Sequence, residues 1–163
     1  MKGTTKKEHA RTRKIDIAAD GIPSPAWKSR LTRFCARAML EAGVAQWELS
    51  LLLCGDERMT QLNVRYRRKS GPTDVLSFPR AAATGALRRP LPGLAGDIAI
   101  SMDTLRRNAR AFDVTEDEEL KRLLVHGILH LAGMDHGSGK GREMLSLQER
   151  LLERLKEERI IEK

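Results

Sequence analysis

The stretch His126-Gly127-Ile128-Leu129-His130-Leu131-Ala132-Gly133-Met134-Asp135-His136 places three of the chain's four histidines within eleven residues. No other feature restricts the possible fold as strongly. If Leu120 to Leu131 is helical, His126 and His130 stand four residues apart on one face, with their rings about one turn, roughly 6 Å, apart. Two imidazoles so placed can grip one zinc ion. A third ligand has to come from outside that turn. Gly133 sits where helices often end in the left-handed conformation, so the chain can fold back and return His136 to the same ion. Three histidines leave a fourth tetrahedral position open, which is the layout of a catalytic zinc and not of a closed structural one. The expectation is one zinc per chain.

An ordinary helix explains these histidines less well. On a helical wheel with Leu120 at zero, Leu124, Gly127, Ile128 and Leu131 cluster within about 80°, whereas His126 and His130 lie near roughly 240° and 280°. They flank the apolar stripe, beside Leu123, and do not sit at its centre. The spacing H-x-x-x-H-x-x-G-x-x-H matches the metzincin metalloprotease pattern except that Gly127 replaces the glutamate that serves as general base. That departure removes the best argument for peptide hydrolysis and leaves the metal argument intact.

At 163 residues the chain fits one domain, and 40% hydrophobic content supplies one core. No window reaches the apolar length of a membrane span, and the basic N-terminus lacks the apolar region of a secretory signal, so a cytoplasmic protein with no membrane partner is expected. Cys35 and Cys54 have no CxxC spacing and read as reduced, structural thiols. The net charge of +8 is concentrated. Residues 1–14 hold six Lys or Arg against one Glu, and residues 58–90 hold eight against Asp74 alone. Such clustering points to a polyanion, most often nucleic acid, with a solubilising surface as the alternative. Aromatic content of 4% argues against a base-stacking platform, so phosphate contacts should dominate.

In chain order, residues 1–14, including His9, read as a disordered basic arm. A strand is possible at 14–18. Ser24-Pro25 opens a helix that stops at Gly43, with Trp27, Leu31, Phe34, Cys35 and Ala38 inward. Trp47 to Cys54 suits an interior strand. Asp56 can cap a helix through about Arg67, with Met59, Leu62 and Tyr66 on one face and Arg65, Arg67 and Arg68 at its basic end. Thr73 to Phe78 follows as a strand closed by Pro79, and residues 80–95 read as a long loop carrying Arg80, Arg88 and Arg89. Gly96 to Ser101 is another strand and Asp103 to Phe112 a helix. Thr115-x-x-Glu118 is a capping box that starts the histidine helix near Glu116. After a Gly-rich turn at 137–141, Met144, Leu147, Leu151 and Leu155 repeat at helical spacing. This order is that of an α+β domain.

At Leu62-Asn63-x-x-Tyr66-Arg67, Pro72-Thr73-Asp74-Val75-Leu76-Ser77-Phe78-Pro79, Gly96-Asp97-Ile98 and the histidine stretch, the chain resembles the YbeY family of bacterial endoribonucleases and ribosome maturation factors. The resemblance implies a zincin-like α+β fold, a single domain over 15–163 in which a small mixed sheet packs with about five helices. It implies one zinc on His126, His130 and His136, and cleavage of single-stranded RNA in maturation of the 3′ end of small-subunit (16S) ribosomal RNA and in ribosome quality control. The ribosome is then a partner. The family's functional arginine maps to Arg67, which agrees with the charge reading, since a guanidinium there could clamp a phosphate beside the zinc. Arg65, Arg68, Lys69, Arg80, Arg88 and Arg89 are further RNA-binding candidates. Asp135 is a candidate for orienting the ligand beside it, or for bracing its turn. Asp74 and Asp97 read as anchors at strand ends. The chain departs from the family at Met134, where Tyr is usual, in the Gly-rich 137–141 segment, where acidic residues are common, and in its basic arm. Two other readings remain: a metalloprotease, which lacks a visible base, and a zinc-containing ribosome-binding factor without catalysis.

Overall fold

The computed structural model describes residues 14–80, 93–134 and 141–162. Within them the chain runs β1 (Ile15–Asp20), α1 (Lys28–Glu41), β2 (Trp47–Cys54), α2 (Asp56–Arg67), β3 (Val75–Pro79), β4 (Gly93–Ser101), α3 (Met102–Ala111), α4 (Glu116–Leu131) and α5 (Gly141–Arg154). The strands form one sheet in the order β1-β2-β4-β3. β1 and β4 pair parallel with β2, and β3 pairs antiparallel with β4 at the sheet edge. The expected α+β architecture, a small mixed sheet with five helices, is the one observed.

Alternation along β2 decides the layers. Trp47, Leu49, Leu51 and Leu53 are buried and join Ile98 and Ile100 of β4 in the main core, with Phe34 and Met39 of α1, Leu105 of α3, Leu120 to Leu131 of α4, and Met144 and Leu151 of α5. The opposite sheet face carries a smaller cluster of Cys54, Leu76 and Ala99 under Met59 of α2. Period-two alternation sends successive strand residues to opposite faces, so one sheet serves both cores. Both cysteines are free and buried. Burial pushes the Cys35 thiol up to about 12, and burial, helped by the nearby Asp20 carboxylate, pushes Cys54 up to about 11. Both therefore stay protonated and unreactive at neutral pH, as the structural reading requires.

Several boundaries differ from the sequence expectation. The first helix starts at Lys28, not at Ser24-Pro25, because Lys28 N–H donates to Pro25 O (3.2 Å) in a preceding turn; the N-cap falls to Trp27, which supplies no side-chain cap. Asp56 does not cap α2 but is its first residue, following Gly55. Its carboxylate instead accepts from Ser101 Oγ (2.6 Å), Thr104 Oγ1 (2.7 Å) and Arg107 Nη1 (2.7 Å), while its own N–H donates to Asp103 Oδ2 (2.9 Å). The exchange braces the starts of α2 and α3 together. β4 begins at Gly93, three residues before the expected strand, because backbone pairing with Trp47 and Glu48 needs no side-chain pattern. Asp97 accordingly lies within the strand, opposite Phe78 and Ser50, and not at its end. Gly96 has φ +151°, and a Cβ there would meet Phe78 O and Leu131 Cδ2, so β3, β4 and α4 close together only around a glycine. Residues 1–13 of the expected basic arm and most of the expected loop at 80–95 lie outside the described residues; Lys14, the last residue of that arm, is instead tied to the sheet, its carbonyl accepting from Leu49 N–H (3.0 Å). Among the described residues no helix is long and apolar enough to cross a membrane.

The C-terminal segment fastens the start of α4. Asp117 Oδ1 accepts from the N–H groups of Ile160 and Ile161 (2.8 Å each), and Lys121 Nζ donates to Lys156 O (3.2 Å) and Glu158 O (2.9 Å). Both charged side chains are buried yet paired, as buried charges must be.

Candidate active site

The histidine helix is fixed at both ends by local chemistry. Thr115 Oγ1 accepts from Glu118 N–H (3.1 Å) and Glu118 Oε2 accepts from Thr115 N–H (2.7 Å), the reciprocal capping box expected from the sequence. Four acidic residues fill the first turn, where the helix dipole favours negative charge. At the other end Gly133, at φ +82°, donates to His130 O (2.9 Å) and Met134 N–H donates to Leu129 O (3.1 Å). These two bonds make a Schellman turn, which satisfies two helix-end carbonyls and sends the chain back. The left-handed stop at Gly133 is thus in place. Asp135 and His136, the orienting candidate and the third expected ligand, follow it and lie outside the described residues.

His126 and His130 share one face of α4, and their Nε2 atoms converge to 3.0 Å with ring centroids 4.5 Å apart. Two nitrogens on one tetrahedral zinc, each at about 2.0 Å from it, would stand about 3.3 Å apart, so the pair fits a single ion with little adjustment. His126 Nδ1 lies 2.9 Å from Gln148 Oε1, and an amide oxygen can only accept. Nδ1 therefore carries the proton, and the lone pair of His126 sits on Nε2, on the side shared with His130. Gln148 was missed by sequence reasoning. A signal existed: Gln148 falls four residues after Met144 and three before Leu151, a polar residue on the buried face of α5, and it is only 7% exposed.

The two histidines open into a cavity of about 680 Å³ whose other walls are Tyr66 and Arg67 at the end of α2, residues 73–79 along β3, and Gly133 and Met134. Arg67, the expected functional arginine, thus borders the same space as two of the three expected metal ligands, His126 and His130. Its helix ends in a left-handed residue, Arg68 at φ 55°, and buried Asn63 donates from Nδ2 to Gly71 O (2.9 Å), tying the following basic loop back onto α2. Arg65, Arg68, Lys69 and Arg80 are exposed. Arg65 lies over the Tyr66 ring, 5.3 Å from its centroid. Tyr66, on the helix face expected to carry Met59 and Leu62 as well, stands 55% exposed at the cavity wall, while Met59 is fully buried. Arg88 and Arg89 lie outside the described residues.

Asp74 belongs to the frame. Its Oδ1 accepts from Val75 N–H (2.8 Å) and its Oδ2 from Asn108 Nδ2 (3.2 Å), with Arg122 at 3.5 Å. Arg122 in turn donates to both oxygens of Glu119, at 2.7 Å each. The network fixes the start of β3 against α3 and α4. Asp74 borders the cavity, but its oxygens are occupied.

Gly127 has a packing reason. A Cβ there would lie 2.8 Å from Ile98 Cδ1 and 3.2 Å from its Cγ2, and Ile98 is fully buried. The position that holds the protease glutamate faces the sheet in this chain, with no room for a carboxylate. Gly127→Ala should lower stability by about 1 kcal/mol net: overpacking costs roughly 1–3 kcal/mol, and the better helix former returns up to about 1. Chemical denaturation checks this, and an alanine variant as stable as wild type would contradict the packing account.

The family model described as Endoribonuclease YbeY matches residues 14–156. The chain belongs to the YbeY family. Relatives named Endoribonuclease YbeY include that of Treponema pallidum (strain Nichols), 40% identical over 140 residues and covering 85% of this chain and 88% of the relative. That of Treponema denticola is 44% identical over 124 residues, with 76% and 80% covered. That of Thermobifida fusca is 41% identical over 145 residues, with 85% and 91% covered. The solution structure of TM1509 from Thermotoga maritima is similar with a TM-score of 0.56 and 25% identity, covering 85% of this chain and 87% of that one.

Proposed function

We propose that this chain is a zinc-dependent endoribonuclease that cuts single-stranded RNA, acting in the cytoplasm in maturation of the 3′ end of 16S ribosomal RNA and in ribosome quality control. The observation that carries the reading is that the converging Nε2 atoms of His126 and His130 and the Arg67 side chain border one cavity. The endoribonuclease names of the relatives support it. His126 and His130, with His136, would hold one zinc, which when bound supplies a Lewis acid for a phosphoryl oxygen. Gln148 holds the His126 ring and its tautomer. Arg67 binds the phosphate and stabilises charge that builds on it, its planar fork matching two phosphate oxygens. Arg65, Arg68, Lys69 and Arg80 track the flanking backbone, with Arg88, Arg89 and the 1–14 arm as further contacts on the ribosome. The protease reading is not favoured, because a glutamate at Gly127 has no space beside Ile98. A non-catalytic zinc factor is not favoured either, since the relatives are named as nucleases. Incubation of the zinc-loaded protein with labelled single-stranded RNA and, in parallel, with a peptide library tests the assignment. RNA fragments alone are expected; peptide cleavage without RNA cleavage would overturn it.

Two further outcomes follow from the site. Gln148→Leu should weaken zinc binding by roughly 10- to 100-fold, the usual cost of removing the partner of a ligating histidine, as read by competition with a chelator. Unchanged affinity would show that Gln148 only fills space. RNA affinity should fall steeply with salt. Three or more phosphate contacts from the exposed basic cluster give a slope of log K against log salt steeper than about −2 for a single strand. A flat titration would exclude phosphate tracking.

A further inference from the structure

With only 4% aromatic residues the chain gives no reason to expect base stacking, yet two of its rings meet at the edge of the histidine cavity. Tyr66 and Phe78 pack edge to face, with centroids 5.0 Å apart at 65°, and both line the cavity that holds His126, His130 and Arg67. Phe78 is half-buried and anchored in β3, whereas Tyr66 directly precedes Arg67 on the last turn of α2 and stays 55% exposed. Beside its edge-to-face contact with Phe78, Tyr66 keeps surface open to solvent, and the Arg65 guanidinium lies over the ring, 5.3 Å from its centroid, adding positive charge there. An exposed π surface therefore stands one residue from the arginine that is read as the phosphate clamp.

We infer that Tyr66 forms a nucleobase subsite, on which the base next to the phosphate held by Arg67 stacks. The inference rests on the RNA-cleaving reading above and supplies what that reading lacks, a physical source for a single-strand preference. A base inside a duplex has both faces covered by its neighbours, whereas an unpaired base can turn a face to an aromatic ring. Every base has such a face, so the subsite accepts all four and confers no sequence preference of its own.

The test uses the full-length, zinc-loaded protein and a single-stranded RNA with one cleaved bond, intact or carrying an abasic residue at either nucleotide flanking that bond. Wild type, Tyr66→Leu and Tyr66→Phe are compared for half-saturating protein concentration and saturated single-turnover rate. Leucine keeps an apolar contact with Phe78, and a melting curve checks that the fold is retained. Tyr66→Leu is expected to bind the intact RNA roughly tenfold more weakly, with its saturated rate nearly unchanged, and Tyr66→Phe to bind like wild type. An abasic residue at one flank should cost wild type the same roughly tenfold and cost Tyr66→Leu almost nothing. Equal abasic penalties in wild type and Tyr66→Leu, or a leucine variant that binds like wild type, would overturn the subsite alone. A wild type that cleaves the intact RNA at no bond would overturn the nuclease reading, and the subsite with it.

Discussion

Arg67→Ala should keep the fold and the metal content of the protein and lose cleavage of single-stranded RNA by on the order of 10²-fold or more, the usual scale for removing one donor to a charged transition state. The fold should survive because the side chain is exposed and the packing of α2 rests on Met59 and Asn63. Arg67→Lys should recover little, since an ammonium keeps the charge but lacks the planar fork that pairs with two phosphate oxygens. A different outcome is expected if Arg67 serves α2 alone. Arg65 and Arg67 both stand in its last turn, where a cation is favourable by roughly 0.3–1 kcal/mol, and lysine would then replace arginine almost fully. Single-turnover cleavage at saturating protein separates the two roles, because binding is removed from the comparison. Two variants that cleave like wild type would make Arg67 a helix-end cation.

Alanine at His126, at His130 or at His136 should each take zinc from about one per chain to near zero. With one ligand gone, two protein donors are left to compete with water for an ion that in catalytic sites has three. The loss should exceed that of Gln148→Leu, which removes the support of a ligand and not the ligand. Elemental analysis of the purified variants measures it. Zinc retained in His126→Ala or His136→Ala would show that the histidines do not act as one site.

The paired histidines and their helix were legible because their determinants are local. A capping box at Thr115 and Glu118, two histidines four residues apart and a glycine two residues past the end of the helix fix the same helix in the sequence and in the structure. β2 was legible from an early alternation that runs into a continuous apolar stretch. What stayed hidden depends on partners distant in sequence. Gln148 acquires its role only when α5 packs on α4, 22 residues away, and in the sequence it is one polar residue in an apolar row. Gly127 reads as a missing base until Ile98 is seen to occupy the space where a side chain would go. Asp56 reads as a cap because its competing partners, Ser101 and Thr104, lie more than 40 residues on. The early start of β4 was masked because glycine-rich strands carry no alternation, and Gly93 and Gly96 are needed there for backbone reasons. Helical spacing puts Tyr66 on one face with Met59 and Leu62, which identifies a face but not where the neighbouring layer stops.

The central claim is that RNA cleavage runs on one zinc held by the three histidines. Its most direct test is a zinc titration of chelator-stripped protein, reading single-turnover cleavage of single-stranded RNA after each addition. The rate is expected to start near zero, rise in proportion to zinc and level off at one equivalent per chain. Cleavage that survives stripping, or that levels off at another stoichiometry, would contradict the account.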